Sequence, residues 1–403
     1  MSHIQDRWFT EVPDPEHPGK TIKVKSQLYG KVQRYKVRWH GPDGRERSKS
    51  FPDKQKAAAE SFRTQLDMEM LTGRYVDPNA GKRLFVPLAW KWLKTTSNDP
   101  ASRAIYTARI KRGIVPFFDG YTISNACTVE TMHDYVKWLD EQGWELSTQV
   151  AIFEHVVAIM DMAVANRSIP ENPCRNNQVR KPKATRRKIV PWTPQQVQAI
   201  WQALPERNKI VVPLGTGAGL RAGEIFGFSP DDIRRGDGVL DVRRQIRYVD
   251  RTCVFSLPKG GKTRVVPLAE ELLADLDGYM EMYEPVEVTL PWRVPNGKPE
   301  TVPLLMVRAD LRPWHGALFR AGPWAGAFPR AGLTQRRRVD GMHAFRHFYA
   351  SSSLADGVSI LELAEYLGHH NPAITLKYYA HLMPSSHARS RQAVNALLGN
   401  LRA

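Results

Sequence analysis

At 403 residues the chain is long enough for two or three domains of the usual size, roughly 150 residues each, every one able to bury a core. The content of 42% hydrophobic, 9% aromatic and 25% charged residues is that of a folded protein and excludes wholesale disorder. Lysine and arginine number 58 against 41 acidic residues, and the net charge of +17 favours a polyanion, which makes nucleic acid the leading partner, ahead of an inert basic surface or a membrane face.

The N-terminal stretch MSHIQDRWFTEVPDPEHPGK has no apolar core of signal-peptide length, and no run along the chain reaches the ~18 apolar residues of a membrane span, so a cytoplasmic protein with no membrane partner is expected. Residues 21–77 open with the alternating segments KVQRYKVRWH and RERSKSF around a Gly41-Pro42-Asp43-Gly44 turn, a basic β-hairpin. A helix follows, with Asp53 as its N-cap, Ala58, Phe62, Leu66 and Met70 on one face, and Gly73 at its end. On the first strand Arg34, Lys36 and Arg38 alternate with Tyr35, Val37 and Trp39. The cationic face suits a DNA groove and equally an ordinary solvated strand face.

From residue 85 to 169 the period turns helical, in about four segments, an all-α domain. Its Arg103, Arg109, Lys111 and Arg112 are phosphate candidates or a solvated helix face. In RKPKATRRK six of nine residues are basic, and Pro182 discourages a helix. This is an extended linker whose Arg180, Lys181, Lys183, Arg186, Arg187 and Lys188 can track a phosphate backbone. Pro191 and Pro194, with Thr193 as N-cap, open the third domain.

There, GTGAG from Gly215 lacks the third glycine of a dinucleotide fingerprint and no GKS or GKT follows, so no nucleotide cofactor is indicated. Arg221 comes next, with Glu224 one turn on. DGVLDVRRQIRYV, TCVFSLP and TRVVPL are strand-like, and the PKGGK turn sets Lys259 at the neck of a hairpin. Residues 280–339 read as an extra hairpin or insertion. In GMHAFRHFYASSSLADGV, His343 and Arg346 share one side of a helix. His343 and His347 have zinc-helix spacing but no HExxH glutamate or third ligand, and Cys127, Cys174 and Cys253 are dispersed. Neither a metal site nor a disulfide framework is expected, and His347 is left as a core or surface histidine. An amphipathic helix through Ile360, Leu363, Ala364 and Leu367 leads to His369, to the pair Tyr378 and Tyr379, and to His381.

GAGLRAGE, PKGGKTRVVPL, HAFRHFYAS, LGHHNP and YAH, in that order, resemble the motif series of the tyrosine recombinase family, particularly phage-type site-specific integrases. The resemblance implies a multidomain α+β fold. A small sheet-plus-helix arm-binding domain (1–80) and an all-α core-binding domain (84–178) precede the basic linker (179–192). A mainly α catalytic domain with a small antiparallel sheet (193–403) completes the chain. It implies an enzyme that cuts and rejoins DNA strands through a 3′-phosphotyrosyl intermediate, without metal, ATP or other cofactor, to integrate or excise a phage or mobile element. Its partners would be double-stranded attachment sites, three further copies in a homotetramer, and a directionality factor or host DNA-bending protein, in the cytoplasm at the bacterial nucleoid. A type IB topoisomerase and a non-catalytic DNA-binding accessory protein are the rival readings.

Carried onto this chain, the family roles make Arg221 and Arg346 the clamp on the scissile phosphate, Lys259 the general acid and His369 a phosphate ligand. His343 becomes the acceptor of the nucleophile's proton. Either Tyr378 or Tyr379 satisfies the spacing, and the tyrosine-x-histidine ending selects Tyr379 with His381. Glu224 either orients a guanidinium from behind or is purely structural. The residue types suit the task, since guanidinium forks match phosphate oxygens at any working pH and a tyrosine of pKa about 10 needs a base or a positive field. The tail SSHARSRQAVNALLGNLRA reads as a short basic amphipathic helix that, by the same resemblance, packs on a neighbouring subunit.

Overall fold

The computed structural model describes residues 2–398 apart from 16, 18, 42–43, 73–74, 76–79, 97–98, 185–187, 337–338, 383–390 and 392–393. The chain forms two compact units, Met1–Thr185 and Arg186–Ala403. In the first, strand Tyr35–His40 lies between His3–Asp6 and Glu46–Phe51, antiparallel to both. A separate ribbon pairs Phe9–Pro13 with Thr21–Lys25. Alternation sends Tyr35, Val37 and Trp39 inward, where they meet Ala59, Leu66 and the partly buried Phe62 and Met70 of helix Lys56–Leu71.

Two details differ from the sequence-based expectation. A strict four-residue ladder drifts around a helix of 3.6 residues per turn, so Ala59 takes the inward place and Ala58 is exposed. Asp53 does not cap the helix; it opens a short 3-10 turn, Asp53–Gln55, and holds Arg34. The turn residues 42–43 and the helix end at Gly73 lie outside the described residues.

Helices Phe85–Thr95, Pro100–Gly113, Val129–Glu141 and Leu146–Ala165 enclose a second core that includes Phe85, Phe118, Tyr135 and Phe153. Leu146–Ala165 is long and apolar enough by length and composition alone to cross a membrane, but half of its apolar 18-residue window is buried inside the protein, as in a core helix. Of the stretch expected as a linker, Val179 is buried in this helical core and Trp192 in the core of the second unit. Arg180, Lys181, Lys183 and Lys188 between them are exposed, and Arg186 and Arg187 lie outside the described residues.

The second unit is mainly helical. Its sheet orders Arg264–Pro267, Val239–Val242 and Ile233–Arg234, and hairpins Gln245–Val249 with Thr252–Ser256 and Val286–Pro291 with Pro299–Leu304 stand beside it. The PKGGK segment is therefore not a hairpin neck. It joins strands of two different sheets, because Val266 pairs opposite Leu240 and both fill the core, while Gly260 and Gly261 turn the chain at φ +96° and +75°.

The stretch 280–339 contains the expected hairpin, but it is not simply an insertion. Helix Gly316–Phe319, a π-helical turn Arg320–Trp324 and helix Ala325–Arg330 deliver Phe319, Trp324 and Phe328 to the main core. Trp192 and Trp324 stack at 5.9 Å, and their indole N–H groups donate to the side chain and the carbonyl of Asp340. That clasp fixes the chain just before helix His343–Ala355. The first turn of this helix packs into the main core, and its far end joins a smaller cluster of Ala350, Leu354, Leu363, Leu367 and Tyr379.

Candidate active site

The glycine-rich segment explains itself by close packing. A Cβ on Gly215 would stand 2.7 Å from the Phe345 side chain, and one on Gly219, which sits at φ +62°, 2.5 Å from the Tyr349 ring. Backbone thus lies directly on helix His343–Ala355, and the Gly219 carbonyl accepts a hydrogen bond of 2.6 Å from Arg346 Nη1.

Arg221 immediately precedes helix Ala222–Phe226, so Glu224, one turn in, reaches back to it. Glu224 Oε2 accepts from the Arg221 backbone N–H at 2.9 Å, and Oε1 accepts from Arg221 Nη1 at 2.9 Å. The same carboxylate takes a bidentate pair from Arg264, whose Nε donates to the Tyr366 carbonyl. Burial pushes the Glu224 pKa up, but Arg264, Arg221 and Arg346 more than offset this and hold it down at about 2. The carboxylate is ionised and orients two guanidinium groups.

Arg346 is 2% exposed and has no carboxylate of its own among the described residues. Its Nη2 donates to the Leu367 carbonyl, which also accepts from Arg221 Nη2 at 3.2 Å, and lies 3.4 Å from His369 Nε2. Burial and the neighbouring Arg221 lower its pKa to about 9. Arg221, Arg264 and Arg346 around one glutamate leave a buried excess of positive charge, a well for an anion.

His369 follows Gly368, which leaves the Ile360–Tyr366 helix at φ +61°. Its Nδ1 is 2.7 Å from Thr375 Oγ1, and burial together with Arg346 lowers its pKa to about 4. Arg264, Lys259 and His369 line a common cleft of 570 Å³, with the lysine exposed on its loop. His343 keeps a solvent-exposed edge, yet the protein around its recess and the charge of Arg346 lower its pKa to about 4.

Tyr379 ends helix Pro372–Tyr379 with its ring 2% exposed, whereas Tyr378 is 43% exposed. Burial pushes the Tyr379 pKa up to about 12 against the pull of Arg346. Its hydroxyl lies 2.7 Å from His347 Nδ1. The expected partner, His343, stands one turn earlier, its ring centroid 5.8 Å from that of His347, and the hydrogen bond to the Tyr379 hydroxyl is made by His347 instead. His381 is not in the pocket: it is exposed and bonded through Nε2 to the Ile189 carbonyl at 2.8 Å.

The structure therefore brings Arg221, Glu224, Arg346, His369 and Tyr379 together, with Lys259 and His343 at the rim. Sequence reasoning missed Arg264, although it stands in the TRVVPL segment, and passed over His347, whose i, i+4 relation to His343 was weighed only for zinc. Among the described residues no three His, Cys, Asp or Glu side chains group as a metal site.

In the first unit the cationic strand face is partly committed. Arg34 bonds Asp6 and Asp53, and Arg38 pairs with Glu46, while Lys36 between them is half-buried. In the helical domain Arg109 leans on His155.

Residues 192–385 match the phage integrase family. A XerC-like tyrosine recombinase of Caldanaerobacter subterraneus subsp. tengcongensis is 25% identical over 69% of this chain and 73% of its own length. The ICEBs1 integrase of Bacillus subtilis is 24% identical over 66% of this chain and 70% of its own. Among solved structures, the Tn1549 transposon integrase in complex with a circular intermediate DNA has the same fold, with a TM-score of 0.63 and 17% identity over 77% of this chain and 99% of that one.

Proposed function

Because the chain belongs to the tyrosine recombinases of the phage integrase family, we propose that it is the site-specific recombinase of a phage or other mobile element. It cuts and rejoins DNA with Tyr379 as nucleophile. The observation that carries this is the meeting of a buried tyrosine with Arg221, Arg264 and Arg346 around a single carboxylate. Such a well neutralises the non-bridging oxygens of a phosphodiester, and its charge grows in value as the transition state gathers negative charge.

Arg221 and Arg346 hold the scissile phosphate, with Arg264 and Glu224 fixing their directions. His369 and His343 contribute to the same phosphate, and Lys259 on its glycine-flanked loop protonates the departing 5′ oxygen. One phosphoester replaces another, so the step is reversible by an incoming 5′-hydroxyl and needs no nucleotide triphosphate. Exchange between two duplexes breaks four strands, which calls for four copies of Tyr379 in a tetramer on paired attachment sites. Residues 1–80 serve as an arm-type module, 84–178 grip the core site, and the linker lysines and arginines follow the backbone between the core-binding and catalytic domains. A directionality factor or a DNA-bending protein completes the assembly in the cytoplasm.

The test is covalent trapping on nicked duplexes carrying sites the protein binds, scored as adducts that survive denaturant. Wild type and Tyr378→Phe form the adduct, and Tyr379→Phe does not. Loss in Tyr378→Phe alone moves the nucleophile by one residue. Absence of any adduct from wild type on bound sites overturns the catalytic reading.

A further inference from the structure

Tyr379 attacks phosphorus only after its hydroxyl proton has a destination. The atom placed to receive it is His347 Nδ1, 2.7 Å away, on helix His343–Ala355 and one residue past the buried Arg346. From this contact, and resting on the assignment of Tyr379 as nucleophile, we propose that His347 is the proton acceptor for Tyr379, while His343 faces the DNA.

The surroundings agree with that role. Burial and the charge of Arg346 lower the His347 pKa to about 4, so at neutral pH the ring is uncharged and one nitrogen carries a lone pair. The groups facing it are Arg346 and His343 on its own helix and Tyr379 from helix Pro372–Tyr379, with Arg346 and Arg221 stabilising the phenolate as it forms. His343 has an exposed edge and suits a ligand arriving from solvent.

In the step, the Tyr379 O–H bond breaks toward Nδ1 and the imidazole, already protonated at Nε2, becomes imidazolium. The phenolic oxygen bonds phosphorus, the bond from phosphorus to the 5′ oxygen breaks, and that oxygen takes a proton from the Lys259 ammonium. Rejoining reverses each transfer, with His347 returning its proton to Tyr379.

The measurement is single-turnover cleavage of nicked duplex DNA against pH for wild type, His347→Gln and His343→Gln, with half-site binding followed by gel shift. Glutamine keeps an acceptor for the hydroxyl but is no base. Wild type is expected to be flat from pH about 6 to about 9. His347→Gln should be slower by roughly 10² to 10⁴ at neutral pH, the usual share of a general base, and rise about tenfold per pH unit. On DNA whose scissile 5′ oxygen is replaced by sulfur, a leaving group that needs no proton, the His347→Gln defect persists whereas that of Lys259→Ala disappears.

A second variant, His347→Gly, makes room for free imidazole, and restoration of cleavage in proportion to added imidazole supports the assignment. It is overturned if His347→Gln cleaves within about threefold of wild type with a flat profile. It is equally overturned if the sulfur substrate cures that variant, if the sloping profile belongs to His343→Gln, or if DNA-bound His347→Gly gains nothing from imidazole. Wild type failing to form any adduct would instead remove the parent reading.

Discussion

Arg264 and Glu224, 40 residues apart in the chain, close on each other through two parallel bonds, Nη1 to Oε1 at 3.0 Å and Nη2 to Oε2 at 2.7 Å. The pair fastens strand Arg264–Pro267 to helix Ala222–Phe226, and Arg221 shares the same carboxylate. The proposed phosphate clamp rests on this joint, which gives its removal two separate signatures.

The first is thermodynamic. Glu224→Gln leaves Arg264 and Arg221 buried around a neutral amide, and losing one member of a buried pair costs about 3–5 kcal/mol. Urea denaturation at neutral pH should show a lower midpoint by that measure. Its pH dependence has a definite sign: the carboxyl falls from 4.5 to about 2 on folding, so the stabilisation is whole above about pH 4.5 and drains as pH drops toward 2. Wild type and Glu224→Gln should converge across that window.

The second is kinetic. Arg264→Lys keeps the charge but not the fork that spans both carboxylate oxygens. Cleavage in single turnover should fall by about 10² to 10³, the cost of one misplaced donor at a developing charge, with half-site affinity unchanged in a gel shift.

The amino-terminal strand separates folding from binding. Arg34 ties Asp6 to Asp53, so Arg34→Ala should lower the thermal midpoint of a full-length sample. Lys36→Ala should leave that midpoint alone and weaken arm-site binding, cutting the salt dependence by about one phosphate contact. Titrations at several salt concentrations check this.

With three guanidinium groups supplying the positive charge, chelation should leave the adduct yield unchanged. Trapping in excess EDTA beside excess magnesium measures it, and a requirement for the divalent ion would contradict the assignment of charge to Arg221, Arg264 and Arg346.

What the sequence made legible is what local pattern encodes. Thr193 caps helix Pro194–Ala203 with Gln196 as its reciprocal partner, the alternation of Tyr35, Val37 and Trp39 marks an inner face, and the ordered motifs foretell that Arg221, Arg346, His369 and Tyr379 converge. What it hid is partnership across distance. Strand alternation says which side Arg264 occupies but not that Glu224 waits there. Helical spacing sets His347 beside His343, but its contact with Tyr379 spans 32 residues and depends on how a second helix packs. The PKGGK loop misled because adjacent strands usually pair as hairpins, and here each found its partner elsewhere.

Tyr379 belongs to the small cluster rather than the main core, and Ile189, at the end of the basic linker, packs on that cluster while its carbonyl receives His381. Coming from residue 188, the chain thus meets the walls around the tyrosine before Trp192 enters the main core. Within the second unit, the segment from Ile189 to Trp192 is therefore part of the wall around Tyr379 before it is part of the main core.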